Sequence, residues 1–315
     1  MKNIFNFSRK NDLGEPPWEY SFLQNLDKKE YPKYLAKIFK YRTGEKLPLK
    51  YDFKTNALVI DKNKCKTFNQ KIQWIKLYGV TDLMRNCTDK VKVRDYVEEK
   101  IGNEYLKLVL QICNSFDEID FDKLPSNFVI KCNHGCKWHY IIKNKIEFLN
   151  NKKIFNAVKQ QIQGWLEQDY WCWNGFEMNY RGIEHKLLIE PLMRDYINIP
   201  CNEIHVHCFS SNPEFLIFFD NIMHKKVFYD KELNIISDDE LFTTNIADKD
   251  LNQLFVLSLK LSEKLSENFS FVRIDWMLFG TKLYFEELTF TPHSGFCPLK
   301  KDKEIGNLLN IGNLK

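Results

Sequence analysis

No window of this chain approaches the roughly 18 apolar residues that a membrane-crossing helix requires, so no integral membrane segment is expected. Residues 1–19 are polar and carry Lys2, Arg9 and Lys10, without the apolar stretch of a signal peptide. The nine cysteines are odd in number and scattered, unlike the dense framework of a small disulfide-stapled secreted domain. These absences predict reduced thiols and a cytoplasmic protein. There is no internal repeat and no low-complexity linker. An excess of one charge is also missing: 46 Lys and Arg face 42 Asp and Glu, for a net charge of +4. That bias suits an anionic ligand such as a nucleotide, but is too small to predict a nucleic-acid partner.

What the chain does have is core material. It is 44% hydrophobic over 315 residues, enough for one large core or two to three packed subdomains. Aromatic residues reach 15%, with 25 Phe, read as core filling. The first third reads as helical, with Pro16-Pro17 ahead of Tyr20, Leu23 and Leu26, then Tyr34, Leu35, Ile38 and Phe39 at helical spacing. A second run over 67–78 stops at Gly79. A third, capped by Thr88-Asp89, carries Val93, Tyr96, Val97 and Ile101 on one face and ends at Gly102. Strands are predicted over 105–113, 128–131, 139–142 and 186–190, with a polar helix over 152–166. Two hairpins follow. One pairs 203–209 with 214–219 across Ser211-Asn212-Pro213; the other pairs 271–279 with 283–290 across Gly280-Thr281. Between them, 248–268 is a helix with Leu254, Leu257, Leu261 and Leu265 in register. The order of elements predicts an α+β enzyme with an antiparallel sheet behind its site.

Three segments carry chemistry. In Val272-Arg273-Ile274-Asp275-Trp276-Met277, strand alternation puts Arg273 and Asp275 on one face. In Phe285-Glu286-Glu287-Leu288-Thr289-Phe290-Thr291-Pro292, it puts Glu287 and Thr289 on one face and Glu286 on the other. Facing carboxylates repel unless a cation lies between them, and a hard cation such as Mg²⁺ is one occupant. A salt-bridge strip with Arg273 neutralising both acids is an equal alternative. In Phe128-Val129-Ile130-Lys131-Cys132-Asn133-His134-Gly135, a lysine ends a buried strand ahead of a polar turn. That arrangement suits phosphate, although an isolated lysine of this kind more often only snorkels to solvent. In Leu187-Leu188-Ile189-Glu190-Pro191-Leu192, a strand ends at a proline that cannot donate, leaving main-chain groups for an adenine edge or for a simple loop entry.

Together these segments resemble the ATP-grasp superfamily, and in particular the TupA-like branch associated with teichuronopeptide and surface-polysaccharide biosynthesis. The resemblance begins at Lys90-Val91-Lys92-Val93-Arg94-Asp95-Tyr96-Val97 and runs to Gly306, leaving the first ~85 residues unmatched. It implies an ATP-grasp fold with two α+β subdomains clasping ATP between sheets. The corresponding organisation is a mostly helical region over 1–104, a lid subdomain over 105–192 and a C-terminal subdomain over 193–315. It implies ATP contacts from Lys90, Lys131, His134, Gly135, Glu190, Leu192 and Glu203. Metal ligands would be Asp275, Glu287 and Thr289, the last standing where many members have Asn. Arg273 would face the transferred phosphoryl group together with Lys131, and His293, Ser294 and Gly295 would meet substrate. The implied reaction is amide formation through an acyl phosphate, with ATP and Mg²⁺, between a uronic acid, free or nucleotide-linked, and a small amine. Such chemistry needs positioning and charge neutralisation, so the lack of a Ser-His-Asp arrangement is consistent with it. A kinase on the same fold and a non-catalytic polysaccharide or nucleotide-binding module are the rivals, and oligomeric state is left open.

Other combinations weigh less. Cys132, His134, Cys136 and His139 are too compressed for a usual zinc site, and free thiols are favoured. His205 and His207 share a strand face, where hydrogen bonding is favoured over a metal. His205 stands where the branch is expected to have Lys. Trp165, Trp171 and Trp173 read as packing before stacking platforms.

Overall fold

A computed structural model describes residues 23–173, 175–193, 201–221, 224–236, 249–312 and 314. The expected start of the first helical region, with Pro16-Pro17 and Tyr20, lies outside the described residues, as does Asp248. The chain folds as two units. One comprises Met1–Val80, Trp171–Met178 and His293–Lys315; the other comprises Thr81–Tyr170 and Asn179–Pro292. Residues 81–104, expected to belong to the N-terminal region, fall within the second unit.

The first unit holds α1 (Tyr31–Thr43), the hairpin β1 (Leu49–Asp52) and β2 (Ala57–Ile60), and α2 (Phe68–Trp74). Helix α1 buries Tyr31, Leu35, Ile38 and Phe39 at helical spacing and ends at Gly44, whose φ of 75° suits a left-handed cap. Thr67 begins α2 with a reciprocal capping box to Gln70, and a π-helical turn carries the run on to Gly79.

The second unit opens with α3 (Asp82–Thr88) and α4 (Val93–Ile101), the former not expected from sequence. Its four-stranded sheet has the order β3-β6-β4-β5, formed by β3 (Gln111–Cys113), β4 (Phe128–Cys132), β5 (His139–Ile142) and β6 (Leu187–Pro191). All its pairings are antiparallel. Two helices, α5 (Lys145–Asn150) and α6 (Lys152–Leu166), follow β5. Helix α6 buries Val158, Ile162 and Trp165, in the same core as Phe128, Ile130, Leu187 and Ile189. Alternation then assigns Lys131, Leu188 and Glu190 to the opposite face. The strand expected over 105–113 is real only at its end. Asn103–Tyr105 is a 3₁₀ turn, and the chain then runs with Lys107 6% exposed and Leu108 66% exposed. Lys107 inverts the usual preference because two carboxylates, Glu190 and Glu286, hold it inside.

The five-stranded antiparallel sheet has the order β11-β10-β7-β8-β9. Its strands are β7 (Asn202–Phe209), β8 (Asn212–Asp220), β9 (Lys225–Asp230), β10 (Phe271–Phe279) and β11 (Lys282–Thr289). The first hairpin turns at Ser210-Ser211, with φ of 48° and 71°, rather than over Ser211-Asn212-Pro213. Two left-handed residues match the twist of the flanking strands. Pro213 instead lies in β8, opposite Cys208 at a register shift. Helix α7 (Lys249–Ser266) packs on one face of the sheet. Its buried stripe is Phe255, Ser258, Leu261, Ser262 and Leu265, while Leu254 and Leu257 are only half-buried. The serines are small, and Ser262 Oγ accepts from the buried Trp276 indole at 2.9 Å. The last helix, α8 (Asp302–Leu308), belongs to the first unit.

Candidate active site

The face of the five-stranded sheet away from α7 is polar. Register aligns Thr289, Arg273 and His207 in one row across β11, β10 and β7, and Glu287, Asp275 and His205 in the next. Arg273 grips Asp275 with two contacts, Nε to Oδ1 at 2.6 Å and Nη2 to Oδ2 at 2.5 Å. Thr289 Oγ1 lies 3.2 Å from Arg273 Nη2, from Asp275 Oδ2 and from Glu287 Oε1, so it links all three. Burial opposes ionisation of Asp275, but the guanidinium outweighs it and holds the carboxyl below its usual range. Glu287 goes the other way. Burial, reinforced by the charge of Asp275, raises its pKa, while Lys90 and Arg273 pull against that rise. His205 Nε2 lies 3.0 Å from Glu203 Oε2, and its Nδ1 is 4.0 Å from Asp275 Oδ1. His207 stacks on Phe215, and burial keeps its ring neutral.

The polar face of the four-stranded sheet brings a second charged group together. Lys131 Nζ is 2.8 Å from Glu190 Oε2 and 2.9 Å from Glu286 Oε1. Lys107 also pairs with both acids, at 3.4 Å from Glu190 and in close contact with Glu286. Burial disfavours the charge of Lys131, yet Glu286 and Glu190 outweigh it and keep the ammonium charged far beyond neutral pH. A narrow cavity is lined by Lys90, Arg94, Lys107 and Lys131 along with Glu190 and Glu286. Four cations thus meet two carboxylates, and an anionic ligand would restore the balance.

Glu286 and Lys107 were not singled out from sequence. Strand alternation turned Glu286 away from the site. The pairing, however, jumps from Asp275↔Glu287 to Trp276↔Phe285, making Glu286 the extra residue of a β-bulge. A bulge re-aims a side chain, and here it directs Glu286 to the lysines. For Lys107 the usable signal was one charge inside the apolar run Leu106-Lys107-Leu108-Val109-Leu110.

Several expected ATP contacts cluster at the turn after β4. Lys90 Nζ donates to Gly135 O at 2.7 Å, and Lys90 N donates to Asn133 O. The His134 ring is buried and stacked on His185, with centroids 3.7 Å apart. Its nitrogens contact Asn133 Oδ1 and Trp165 O, each at 3.1 Å, and burial pushes its pKa down to about 3. It is an interior histidine, so only the backbone of this turn is suited to a phosphate. Leu192 is half-buried just beyond β6, and residues 194–200 are outside the described set. All nine cysteines are free thiols. Among the described residues, no group of three or more His, Cys, Asp or Glu side chains is placed to hold a metal ion.

His293, Ser294 and Gly295 belong to the first unit. All three are left-handed, with φ of 50°, 56° and 66°. Gln73 Nε2 donates to Ser294 O and Gly295 O, and Lys76 Nζ donates to Ser294 O and Oγ. At Gly295, with φ of 66°, a Cβ would lie 2.5 Å from Gln73 Nε2 and 2.8 Å from Ile72 Cγ2, so a side chain there would have to displace both. Burial pushes the Lys76 ammonium down to about 7, against the opposing pull of Glu177.

The family described as TupA-like ATP-grasp matches residues 70–310. The chain belongs to that family. Its α+β architecture is accordingly the ATP-grasp fold. Similar solved structures include the D-alanine–D-alanine ligase of Helicobacter pylori, with 12% identity, TM-score 0.47 and coverage of 83% of this chain and 76% of that one. The D-alanine–D-alanine ligase of Bacillus anthracis complexed with ATP has 13% identity and TM-score 0.39, covering 71% of this chain and 55% of that one. An L-amino acid ligase of Bacillus licheniformis has 11% identity and TM-score 0.41, covering 70% and 48%. The chain thus spans about half the length of the last two structures. No curated protein matches it. No helix among the described residues is long and apolar enough to cross a membrane.

Proposed function

We propose that this protein is an ATP-dependent carboxylate–amine ligase. The observation that carries the reading is the gathering of Lys90, Arg94, Lys107 and Lys131 around one cavity. Family membership supports ATP as the polyanion that enters it. The turn at Gly135, the end of β6 at Glu190 and Leu192, and Glu203 on β7 would serve the nucleotide's phosphates, base and ribose respectively. Asp275, Glu287 and Thr289 would hold magnesium. The fit rests on Glu287, a half-buried carboxylate set opposite Asp275 in the register, whose charge partial burial and then Asp275 disfavour and a cation would relieve. When bound, magnesium supplies charge neutralisation on the phosphates.

In the first step a substrate carboxylate oxygen attacks the γ-phosphorus, the bond to the β-phosphate oxygen breaks, and ADP leaves. The amine then attacks the acyl carbon, phosphate departs, and the amine's proton passes to solvent. Lys131 steadies the phosphates, and Arg273, two residues along the strand from Asp275, faces the charge that develops in transfer. The resemblance of the motifs to the surface-polysaccharide branch supports a uronic acid as carboxylate, in a cytoplasmic step of capsule or related glycan synthesis.

The test is a panel of uronic acids and amines with ATP and Mg²⁺, read by ADP release and product mass. A product joined by an amide, with ¹⁸O passing from the substrate carboxylate into phosphate, is the expected result. ADP formed without amine, alongside a stable phosphorylated acid or sugar, would make the protein a kinase. No turnover and no nucleotide binding would leave a binding module.

A further inference from the structure

We propose that Glu286 is a displaceable stand-in for phosphate: without nucleotide it occupies Lys131 and Lys107, and nucleotide binds by taking its place. The inference rests on the nucleotide reading above. Lys131 and Lys107 are nearly buried, with side chains 14% and 6% exposed, and buried ammonium groups need counterions in every state of the protein. Two acids provide them here, Glu190 and Glu286, each contacting both lysines. A phosphate arriving at the same ammonium groups would meet two carboxylates already bound, and like charges held this close repel. One of the acids must leave.

Glu286 is the one with a way out. Its side chain is 30% exposed against 6% for Glu190. It is also the extra residue of the bulge, between Phe285, paired with Trp276, and Glu287, paired with Asp275. Glu190 is paired within the four-stranded sheet, opposite Val129. The exchange keeps the two lysines in place before nucleotide arrives, and it makes binding weaker than a vacant cationic cavity would allow. The penalty falls only on ligands that engage the lysines. Adenosine, with no phosphate, escapes it.

The test is calorimetry on the full chain with ATP and adenosine, comparing wild type, Glu286→Gln, Lys131→Ala and the double variant. Glu286→Gln should tighten ATP at least about fivefold and leave adenosine within about twofold. In the Lys131→Ala background the gain should shrink below about twofold, because the contested group is gone. A folded Glu286→Gln protein that binds ATP no tighter than wild type overturns the exchange and leaves the nucleotide site standing. Wild type that binds neither ATP nor adenosine overturns the nucleotide reading itself. A structure of wild type with an ATP analogue decides the matter without any variant: Glu286 still on both lysines refutes the proposal, and Glu286 swung away from them supports it.

Discussion

Replacing Lys131 with methionine should reverse how this protein's stability responds to pH. Met keeps most of the volume and removes the charge. Of the two lysines that pair with both Glu190 and Glu286, only Lys107 then remains, with Lys90 and Arg94 elsewhere in the cavity lining. Leaving a buried charge without its partner typically costs about 3–5 kcal/mol. In wild type both carboxyls are held below their usual range, because the lysines outweigh burial. Their contribution is therefore present above the unfolded carboxyl pKa and is lost as pH falls through the folded values. In the variant, burial and mutual repulsion are opposed by one directly paired lysine instead of two, so at least one carboxyl should titrate above its unfolded pKa. Its contribution is then present at low pH and lost as pH rises. One proton taken up across two pH units is worth at most about 2.7 kcal/mol. Urea denaturation at pH 5, 6, 7 and 8, followed by tryptophan fluorescence, measures this, since Trp138 and Trp165 lie in the core of the four-stranded sheet. The variant-minus-wild-type difference should be largest at pH 8 and shrink towards pH 5, other titrations cancelling in the subtraction. A difference that is constant or grows towards acid would refute the reasoning.

Three further outcomes are expected. Arg273→Ala should lower turnover by about 10²-fold or more while ATP affinity changes little, the scale of losing one transition-state donor; a loss confined to ATP binding would make Arg273 a ground-state clamp. Glu287→Gln should raise the magnesium concentration needed for half-maximal ADP formation, by about tenfold, the factor that goes with ~1.4 kcal/mol. The same change should remove the stability that ligand-free wild type loses as pH rises through the elevated pKa of Glu287, visible in thermal melts at pH 5 and 8. Gly306→Ala would put a Cβ 2.6 Å from Lys66 O and 2.7 Å from Phe68 N, both backbone atoms that cannot turn aside. A loss of about 1–3 kcal/mol should follow, measured by urea denaturation.

Strand alternation put Arg273 with Asp275 and Glu287 with Thr289 on one face, and the register does set Asp275 opposite Glu287 and Arg273 opposite Thr289; the roles expected of these four, and of Lys131 and Glu190, came from the resemblance. Alternation failed where the period was broken. Glu286 was turned the wrong way because a bulge adds one residue to β11, and nothing in Phe285-Glu286-Glu287-Leu288 announces it. Lys107 was hidden by the opposite fault: an apolar run that looked like strand, whose single charge was the informative residue. The resemblance put His134 at the phosphate-covering loop, but its ring stacks on His185, which is distant in the chain and could not be read from its neighbourhood. The strand β9 was also missed, since its Lys225-Lys226 start reads as surface loop. The ordering of the chain into units followed long-range pairings such as Asn69 with Asp302, which local pattern does not encode.

The single polar face of the five-stranded sheet constrains how this gene can change. Because side chains alternate with period two, an insertion or deletion of one residue within β7 or β10 would exchange the faces beyond it. Asp275 or His205 would then point at Phe255 and Leu261 of α7, and a buried isoleucine such as Ile274 or Ile204 would replace them on the polar face. Indels should therefore be confined, over evolutionary time, to the Ser210-Ser211 and Gly280-Thr281 turns. In β11 the bulge already gives one residue more than β10 opposes, and the residue it re-aims, Glu286, meets Lys131. Reverting it by deleting Glu286 would be expected to leave Glu287 opposite Asp275 while Lys107 and Lys131 share Glu190 alone.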